Sequence, residues 1–363
     1  MERTSSIRDR YFMRNALNIS LRGIGNTWPN PSVGAVLVKN NQIINRGWTQ
    51  PGGVPHAETM VLKKKKYPGA TLYTTLEPCS HYGKTSPCVN QIIKSRIKRV
   101  VIGLKDPNPK VNGRGIDKLK KKKIKVTIGI LKDEIKKIHS GFFNKIKNKK
   151  PFISTKIAIS INGKMINNKK KWITSESSRE YGNFLRAKYD AIITGINTVL
   201  YDNPLLNCRH QGMTNLSPVR IILDSKLRIR ESLKIIKTAK KIKTYVFTIS
   251  NEKKKIMKLN RLGLKIKIFN QNREERLNLK NVILEMTKMG FNNVLVEAGP
   301  NLNASFFKNN LIDKIYYFKS KNFINSKVLD TEKKLMEANI KKLKFKTLSS
   351  RQYEDDVLKI YEK

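Results

Sequence analysis

Cysteine is scarce, with three in 363 residues. Cys79 and Cys88 lie nine positions apart beside proline and histidine, unlike the even, dispersed set of a secreted disulfide scaffold. A metal site in a reducing compartment fits that spacing better. No run of about 18 apolar residues occurs, which argues against a membrane-spanning helix. The start, MERTSSIRDRYFMRN, is charged and has no apolar core of a secretory signal. A cytoplasmic chain with no membrane partner is therefore expected. No G-x-G-x-x-G follows a strand, which disfavours the usual dinucleotide-binding turn.

Acidic residues are also few, 27 against 75 basic ones, leaving a formal charge of +48. A basic surface attracts nucleic acid, anionic membranes and phosphorylated small molecules alike, so charge by itself selects no partner. A nucleic-acid footprint clusters on one face or element. Here the lysines are dispersed, in KKKK at 63–66, KLKKKKIK at 118–125 and KKK at 169–171, among abundant Ile and Asn. We read them as compositional drift and expect no specific nucleic-acid partner. The alternative is a binding module on an enzyme-like scaffold, which would leave the second half of the chain unexplained.

Hydrophobic residues make up 39% of the chain and the length suits two domains. Helical spacing over Arg8 to Arg22 precedes a break at NTWPNPS. VGAVLVKNNQIINRGW reads as two strands about an Asn-Asn turn, HAETMVLKKKK as a helix with His56 and Glu58 in its first turn, and ATLYTTLEP as a strand. PCVNQIIKSR reads as a helix, KRVVIGL and IKVTIGI as strands. The order predicts an α/β sandwich. The charged segment KIKNKKP, 145–151, is the candidate boundary, giving domains 1–146 and 150–363. The second opens with FISTKIAIS and continues through DAIITGI, VRIILD, KTYVFTI, LKIKIF, NNVLVEAG and KIYYF, a second α/β unit.

His56, Cys79 and Cys88 supply the three ligands of a catalytic zinc site, which keeps one position open for water. Glu58, two residues after His56, is placed to shuttle protons, as in the H-x-E then P-C pattern of zinc deaminases. The alternative is a structural zinc or a pair of buried thiols. A structural site usually brings a fourth ligand, and it gives Glu58 no task.

The longer loop PCSHYGKTSPC, with WPNPSVGAVLVK and LKDPNPKVNGRG, resembles the deaminase domain of the bifunctional deaminase-reductase family of riboflavin biosynthesis. The resemblance implies a cytidine-deaminase-like sandwich. It also implies hydrolytic deamination of a diaminopyrimidinone ribosyl phosphate, with Glu58 moving protons. On the matching motif positions Asn30, His81, Lys84, Asp106 and Asn108 would hold the substrate; turn formation by the Asn, Asp and Pro residues, or a solvated lysine, is the alternative. The chain departs from the family at Thr49, where a His is usual seven residues before the zinc His, and at Ser86, where Pro is usual.

KIAISINGK, WITS, LRAKYDAIITGINTVLYDNPLLNCR, IILDS and VEAGPNLNASF similarly resemble the reductase domain of that family, which has a dihydrofolate-reductase-like α/β fold. The resemblance implies NADPH, held by Ala158, Trp172, Thr198, Asp202, Ser225 and the stretch Gly299, Pro300, Asn301, Leu302, Asn303, Ala304 and Ser305. It assigns Lys170, Arg186, Leu206, Arg209 and Glu297 to the substrate, with hydride reduction of ribosyl C1′ to a ribitylamino group. By physics alone, a strand reaching Glu297 and a helix starting near Leu302 would present a helix N-terminus to a phosphate. Core packing for Trp172, surface charge for Arg186 and Arg209, and a turn before Pro204 for Asp202 are the competing readings. SINGK replaces the usual S-x-D-G-[KR], and Lys170 stands where relatives carry a small polar residue. Cys208, His139 and His210 are read as bystanders, and a homo-oligomer is expected.

Overall fold

The computed structural model describes residues 2–63, 65–83, 85–165, 172–270, 275–324 and 331–363. The chain divides into two compact units. One comprises Met1–Pro151 with Met289–Asn292, and the other Phe152–Lys288 with Asn293–Lys363.

Among its described residues the first unit is built on five strands: β1 (Gly34–Lys39), β2 (Gln42–Trp48), β3 (Thr71–Leu76), β4 (Arg99–Leu104) and β5 (Lys125–Ile128), in the order β2-β1-β3-β4-β5. β1 and β2 form a hairpin whose two central residues, Asn40 and Asn41, both take positive φ, 49° and 60°. That is the twist-matched turn asparagine favours. β1 also runs antiparallel to β3, after which β3, β4 and β5 are parallel. β3 and β4 are buried at almost every position, which explains their continuous apolar runs. The helix Glu2–Ser20 packs Phe12, Met13, Ala16 and Leu17 into the same core as Leu37 and Leu72. Gly34 makes that approach possible, since a Cβ there would lie 1.9 Å from the Ala16 carbonyl oxygen.

The helix read from HAETMVLKKKK is shorter than expected. It spans Ala57–Leu62 with His56 as its N-cap residue, and it ends where Lys63 turns left-handed at φ 44°. A run of adjacent lysines offers no opposite-charge pairs to extend a helix. The segment 145–151, read as the candidate boundary, is helical over its first part, because Ser140–Asn148 forms a helix that buries Phe142.

Among the described residues nine strands form the sheet of the second unit: β6 (Phe152–Ile159), β7 (Ala191–Gly195), β8 (Val219–Leu223), β9 (Thr244–Thr248), β10 (Leu264–Ile268), β11 (Asn293–Val296), β12 (Lys314–Lys319), β13 (Lys346–Tyr353) and β14 (Asp356–Glu362). Their order is β10-β9-β8-β7-β11-β6-β12-β14-β13. The seven strands from β10 to β12 are parallel, and β14 and β13 add an antiparallel hairpin. Cys79 and Asp106 in the first unit, and Ser225 and Glu297 in the second, fall just beyond the carboxyl ends of the parallel strands β3, β4, β8 and β11, where ligand crevices of α/β sheets form. Among the described residues no helix is long and apolar enough to cross a membrane.

Candidate active sites

In the first unit β3 ends at Leu76, and Glu77-Pro78 carries the chain to Cys79. Cys88 opens the helix Cys88–Lys94, and His56 caps the helix Ala57–Leu62. Their donor atoms converge. Cys79 Sγ and Cys88 Sγ lie 3.5 and 3.3 Å from His56 Nδ1, and one donor atom from each residue falls within 4.8 Å of the others. Cys79 Sγ accepts the backbone N–H of Cys88 at 3.2 Å. Hydrogen bonding from Cys88, then from His56, pulls the Cys79 thiol down to about 4, against the opposing effect of burial. A soft thiolate, a second thiol and an imidazole at this spacing fit a tetrahedral zinc with a fourth position left over. Glu58 is buried beside them, and Thr74 Oγ1 donates to its Oε1 at 3.1 Å. Burial pushes the Glu58 carboxyl up, with His56 opposing. A carboxyl held closer to neutrality is suited to passing protons.

Around this cluster, Asn30 Nδ2 donates to the Gly53 carbonyl at 2.8 Å and sits 3.4 Å from His56 Nε2. Asp106 is buried, which pushes its carboxyl up to about 7, and its Oδ1 accepts the N–H of Asn108 at 2.8 Å. Asn108 Oδ1 accepts the N–H of Lys110 at 3.0 Å. Both side chains therefore shape their own loop. His81 is exposed, and Lys84 lies outside the described residues. Thr49, in the position of the usual histidine, is buried, and its Oγ1 accepts the Val33 N–H at 3.0 Å. It ties the end of β2 to the start of β1.

The second unit holds a cleft of about 1620 Å³. That exceeds the roughly 300–1,000 Å³ of a single drug-sized ligand site and leaves room for a cofactor and a substrate. At one part of its wall Arg186, from the helix Glu176–Arg186, forms a two-pronged ion pair with Glu297 just beyond β11: Nε to Oε1 and Nη2 to Oε2, each 2.8 Å. Burial pushes the Glu297 carboxyl up, but Arg186 overrides it and holds it down at about 2. Lys156 of β6 lines the same cleft, half-buried, with its pKa lowered by desolvation. Gly299 caps the helix Pro300–Lys308, and its N–H donates to Thr198 Oγ1 at 3.2 Å. The helix thus starts earlier than the sequence suggested. Proline at its first position explains this, because proline's fixed φ suits that place and its missing N–H would be unbonded there anyway.

Two family models match the chain: the RibD C-terminal domain over residues 151–359, and the cytidine and deoxycytidylate deaminase zinc-binding region over residues 6–104. The riboflavin biosynthesis protein RibD of Aquifex aeolicus is 39% identical over 314 residues, 85% of this chain and 86% of its own length. The Buchnera aphidicola protein of the same name is 40% identical over 330 residues, 86% and 87% of the two chains. The chain belongs to the RibD family. Among solved structures, Acinetobacter baumannii RibD superposes with a TM-score of 0.84 at 30% identity, covering 99% of each chain. A Thermotoga maritima diaminohydroxyphosphoribosylaminopyrimidine deaminase/5-amino-6-(5-phosphoribosylamino)uracil reductase does so with a TM-score of 0.83, also at 30% identity and 99% of each chain. As a RibD protein the chain is a bifunctional enzyme of riboflavin biosynthesis, with a cytidine-deaminase-like zinc-binding deaminase domain and a reductase domain.

For this RibD chain, the resemblance's residues mostly meet in space. Ala158, Trp172, Thr198, Asp202, Ser225, Gly299, Pro300, Asn301, Leu302 and Ser305 line the cleft with Arg186, Leu206, Arg209 and Glu297. Trp172 is half exposed, with the Arg179 guanidinium 5.2 Å from its ring centre, which makes it a wall rather than core. Asn303 and Ala304 do not line the cleft. Asn303 is buried, accepts from Thr155 Oγ1 at 2.7 Å and donates to the Ala298 carbonyl at 2.7 Å, so it braces the loop from behind. Lys170 lies outside the described residues. Lys156 and Glu77 are among the residues that escaped the sequence reading. Each is a charge inside or at the end of an apolar strand, and that placement is the available signal. Glu77 is buried, and its carboxylate accepts the backbone N–H groups of Asp106, Gly113, Gly115 and Ile116.

Proposed function

We propose that residues 1–146 deaminate a 2,5-diamino-6-ribosylamino-4(3H)-pyrimidinone 5′-phosphate at a zinc ion held by His56, Cys79 and Cys88. Residues 150–363 then use NADPH to reduce the ribosyl side chain, giving 5-amino-6-(5-phosphoribitylamino)uracil. The observation that carries this reading is the convergence of His56 Nδ1 and two cysteine sulfurs beside the buried Glu58. The chemistry zinc supplies when bound there is acidification of a water at neutral pH. Glu58 takes a proton from the attacking water and delivers protons to the ring nitrogen and the departing ammonia. Asn30, which reaches the His56 ring, and the Asp106-Asn108 loop frame the substrate, with His81 and Lys84 on the longer loop assigned to it as well.

In the second unit the chemistry NADPH supplies is a hydride to ribosyl C1′ of the ring-opened imine. The first turn of the helix Pro300–Lys308 offers free N–H groups to a cofactor phosphate. Lys226 and Arg228, following Ser225 along the cleft, offer charge to the 2′-phosphate that distinguishes NADPH from NADH. The ion pair fixes Arg186 and Glu297 against the substrate, and Lys156 beside them supplies the proton that accompanies the hydride.

Incubation of the purified chain with the diaminopyrimidinone phosphate tests both halves. Without NADPH, ammonia and the deaminated uracil should accumulate; with NADPH the ribitylamino product should follow, and NADH should serve poorly. Reduction preceding ammonia release, or no ammonia at all, refutes the reading.

A further inference from the structure

β8 is buried at all five positions, and one of them is Arg220, with 0% exposure the largest fully buried side chain among the described residues. Its five N–H donors go to neutral oxygens. Nε donates to Thr244 Oγ1 at 2.8 Å, and Nη1 to the Leu205 carbonyl at 2.9 Å and Thr238 Oγ1 at 2.8 Å. Nη2 donates to the carbonyls of Ile235 at 3.0 Å and Ile242 at 3.2 Å. Burial lowers its pKa to about 10, which leaves it charged at neutral pH. A cation is a costly way to fill a core, and an apolar side chain of similar volume is commonly as good or better for stability. Fixing geometry is the better-motivated role for it here.

The acceptors show what is fixed. Leu205 belongs to the loop 203–209, while Ile235 and Thr238 belong to the helix Lys234–Lys237 and its C-cap. Leu205 and Lys234 both line the cleft. The loop is held from the other side as well, because Arg186 Nη1 donates to the Asn207 carbonyl at 3.1 Å. Between these two anchors Leu206 takes φ 49°, and Asn203 just before them takes φ 43°. A left-handed backbone is unfavourable for leucine and persists only where its surroundings over-determine it.

We propose that Arg220 is a positioning residue for the reductase substrate: its buried guanidinium, acting through the Leu205 carbonyl, sets the loop that presents Leu206 and Arg209 to the cleft. The inference rests on the assignment of those two residues to the substrate. Arg220 bonds none of the residues assigned to NADPH, Asp202, Ser225 and the Gly299 helix N-terminus included, so cofactor affinity should be independent of it.

The test uses Arg220→Lys and Arg220→Met in the full chain, with Arg209→Ala as a reference. Lysine keeps the charge but has three donors and no planar fork, so it cannot reproduce all five bonds. Positioning predicts a KM for the deaminated phosphoribosylaminouracil raised about tenfold or more in Arg220→Met, partly recovered in Arg220→Lys, with the NADPH Kd unchanged. A merely structural role instead lowers the number of NADPH-binding sites and leaves the KM of the remaining sites at the wild-type value, which overturns the proposal. If Arg220→Met does not fold, Arg220→Lys carries the same comparison. An unchanged substrate KM in Arg220→Lys, with a raised one in Arg209→Ala, also overturns it. Should Arg209→Ala leave that KM unchanged, the loop does not bind the substrate, and the assignment beneath the proposal falls with it.

Discussion

Glu77 is the residue of the first unit whose replacement tests most directly how the deaminase site is held. Its Oε1 accepts the N–H groups of Gly113, Gly115 and Ile116 at 2.9, 3.1 and 3.3 Å. Its Oε2 accepts those of Gly113 and Asp106 at 3.0 and 3.3 Å. The helix Arg114–Lys121 comes this close because Gly115 has no Cβ, which would lie 2.4 Å from the Pro78 carbonyl. Glu77→Gln preserves size and one acceptor oxygen. The new amide must then turn N–H groups toward the backbone donors of Asp106 or Gly113, or surrender Oε1's three partners. One buried donor is orphaned at about 1–3 kcal/mol, and the remaining bonds lose their charge assistance, so a total of about 2–4 kcal/mol is expected. Much of that strain falls on the loop carrying Asp106 and Asn108, next to Cys79. The deaminase kcat/KM should fall by about 10- to 100-fold and the first unit's melting temperature should drop, while zinc content and the reductase rate stay unchanged. Wild-type deamination and melting in Glu77→Gln would refute the argument that this carboxylate holds the loop of Asp106 and Asn108.

Glu58→Gln should retain the metal by elemental analysis and lose deamination by on the order of 10² or more, with reduction untouched; an ordinary deamination rate would remove Glu58 from the proton path. Glu297, held at about 2 rather than its ordinary 4.5 by Arg186, stabilises the second unit fully above about pH 4.5. That contribution, on the order of 3 kcal/mol, is lost as pH falls from about 4.5 towards 2. Acid titration of melting should show the loss, and a similar slope in Glu297→Gln would contradict it. At neutral pH the same substitution leaves Arg186 without its partner, and the second unit should lose about 3–5 kcal/mol in denaturant unfolding.

The convergence of His56, Cys79 and Cys88 beside Glu58 was legible because these residues sit in short motifs of metal-ligand and carboxylate side chains. The inner strands were legible as apolar runs such as KRVVIGL and AIITGI, since strands buried on both faces must read that way. Glu77 was not, because its partners are backbone groups 29 to 39 residues away, and backbone leaves no mark in sequence. Asn303 was assigned to the cofactor by resemblance alone, and its bond from Thr155, 148 residues earlier, left no mark in the sequence. β13 escaped notice because nearly every residue in it is exposed, leaving no alternation to detect. The lysine runs hid one specific contact, Lys118 Nζ to the Ser80 carbonyl at 2.9 Å, which braces the loop after Cys79.

The strand order of the second sheet dictates when its parts can assemble. β6, the first of its strands in the chain, pairs with β11 and β12 on either side. β7 pairs with β8 and β11. Phe152–Ile159 therefore has no sheet partner until residues beyond 292 exist, and Lys156 meets Glu297 only then. The first unit's sheet, by contrast, is complete by Ile128. During synthesis at about 5–20 residues per second, the deaminase sheet can close well before β6 finds a neighbour. Non-local parallel pairing of this kind is slow and leaves apolar strands unprotected meanwhile. On a ribosome, the emerging reductase is the half of this enzyme that keeps an apolar strand unpaired for longer.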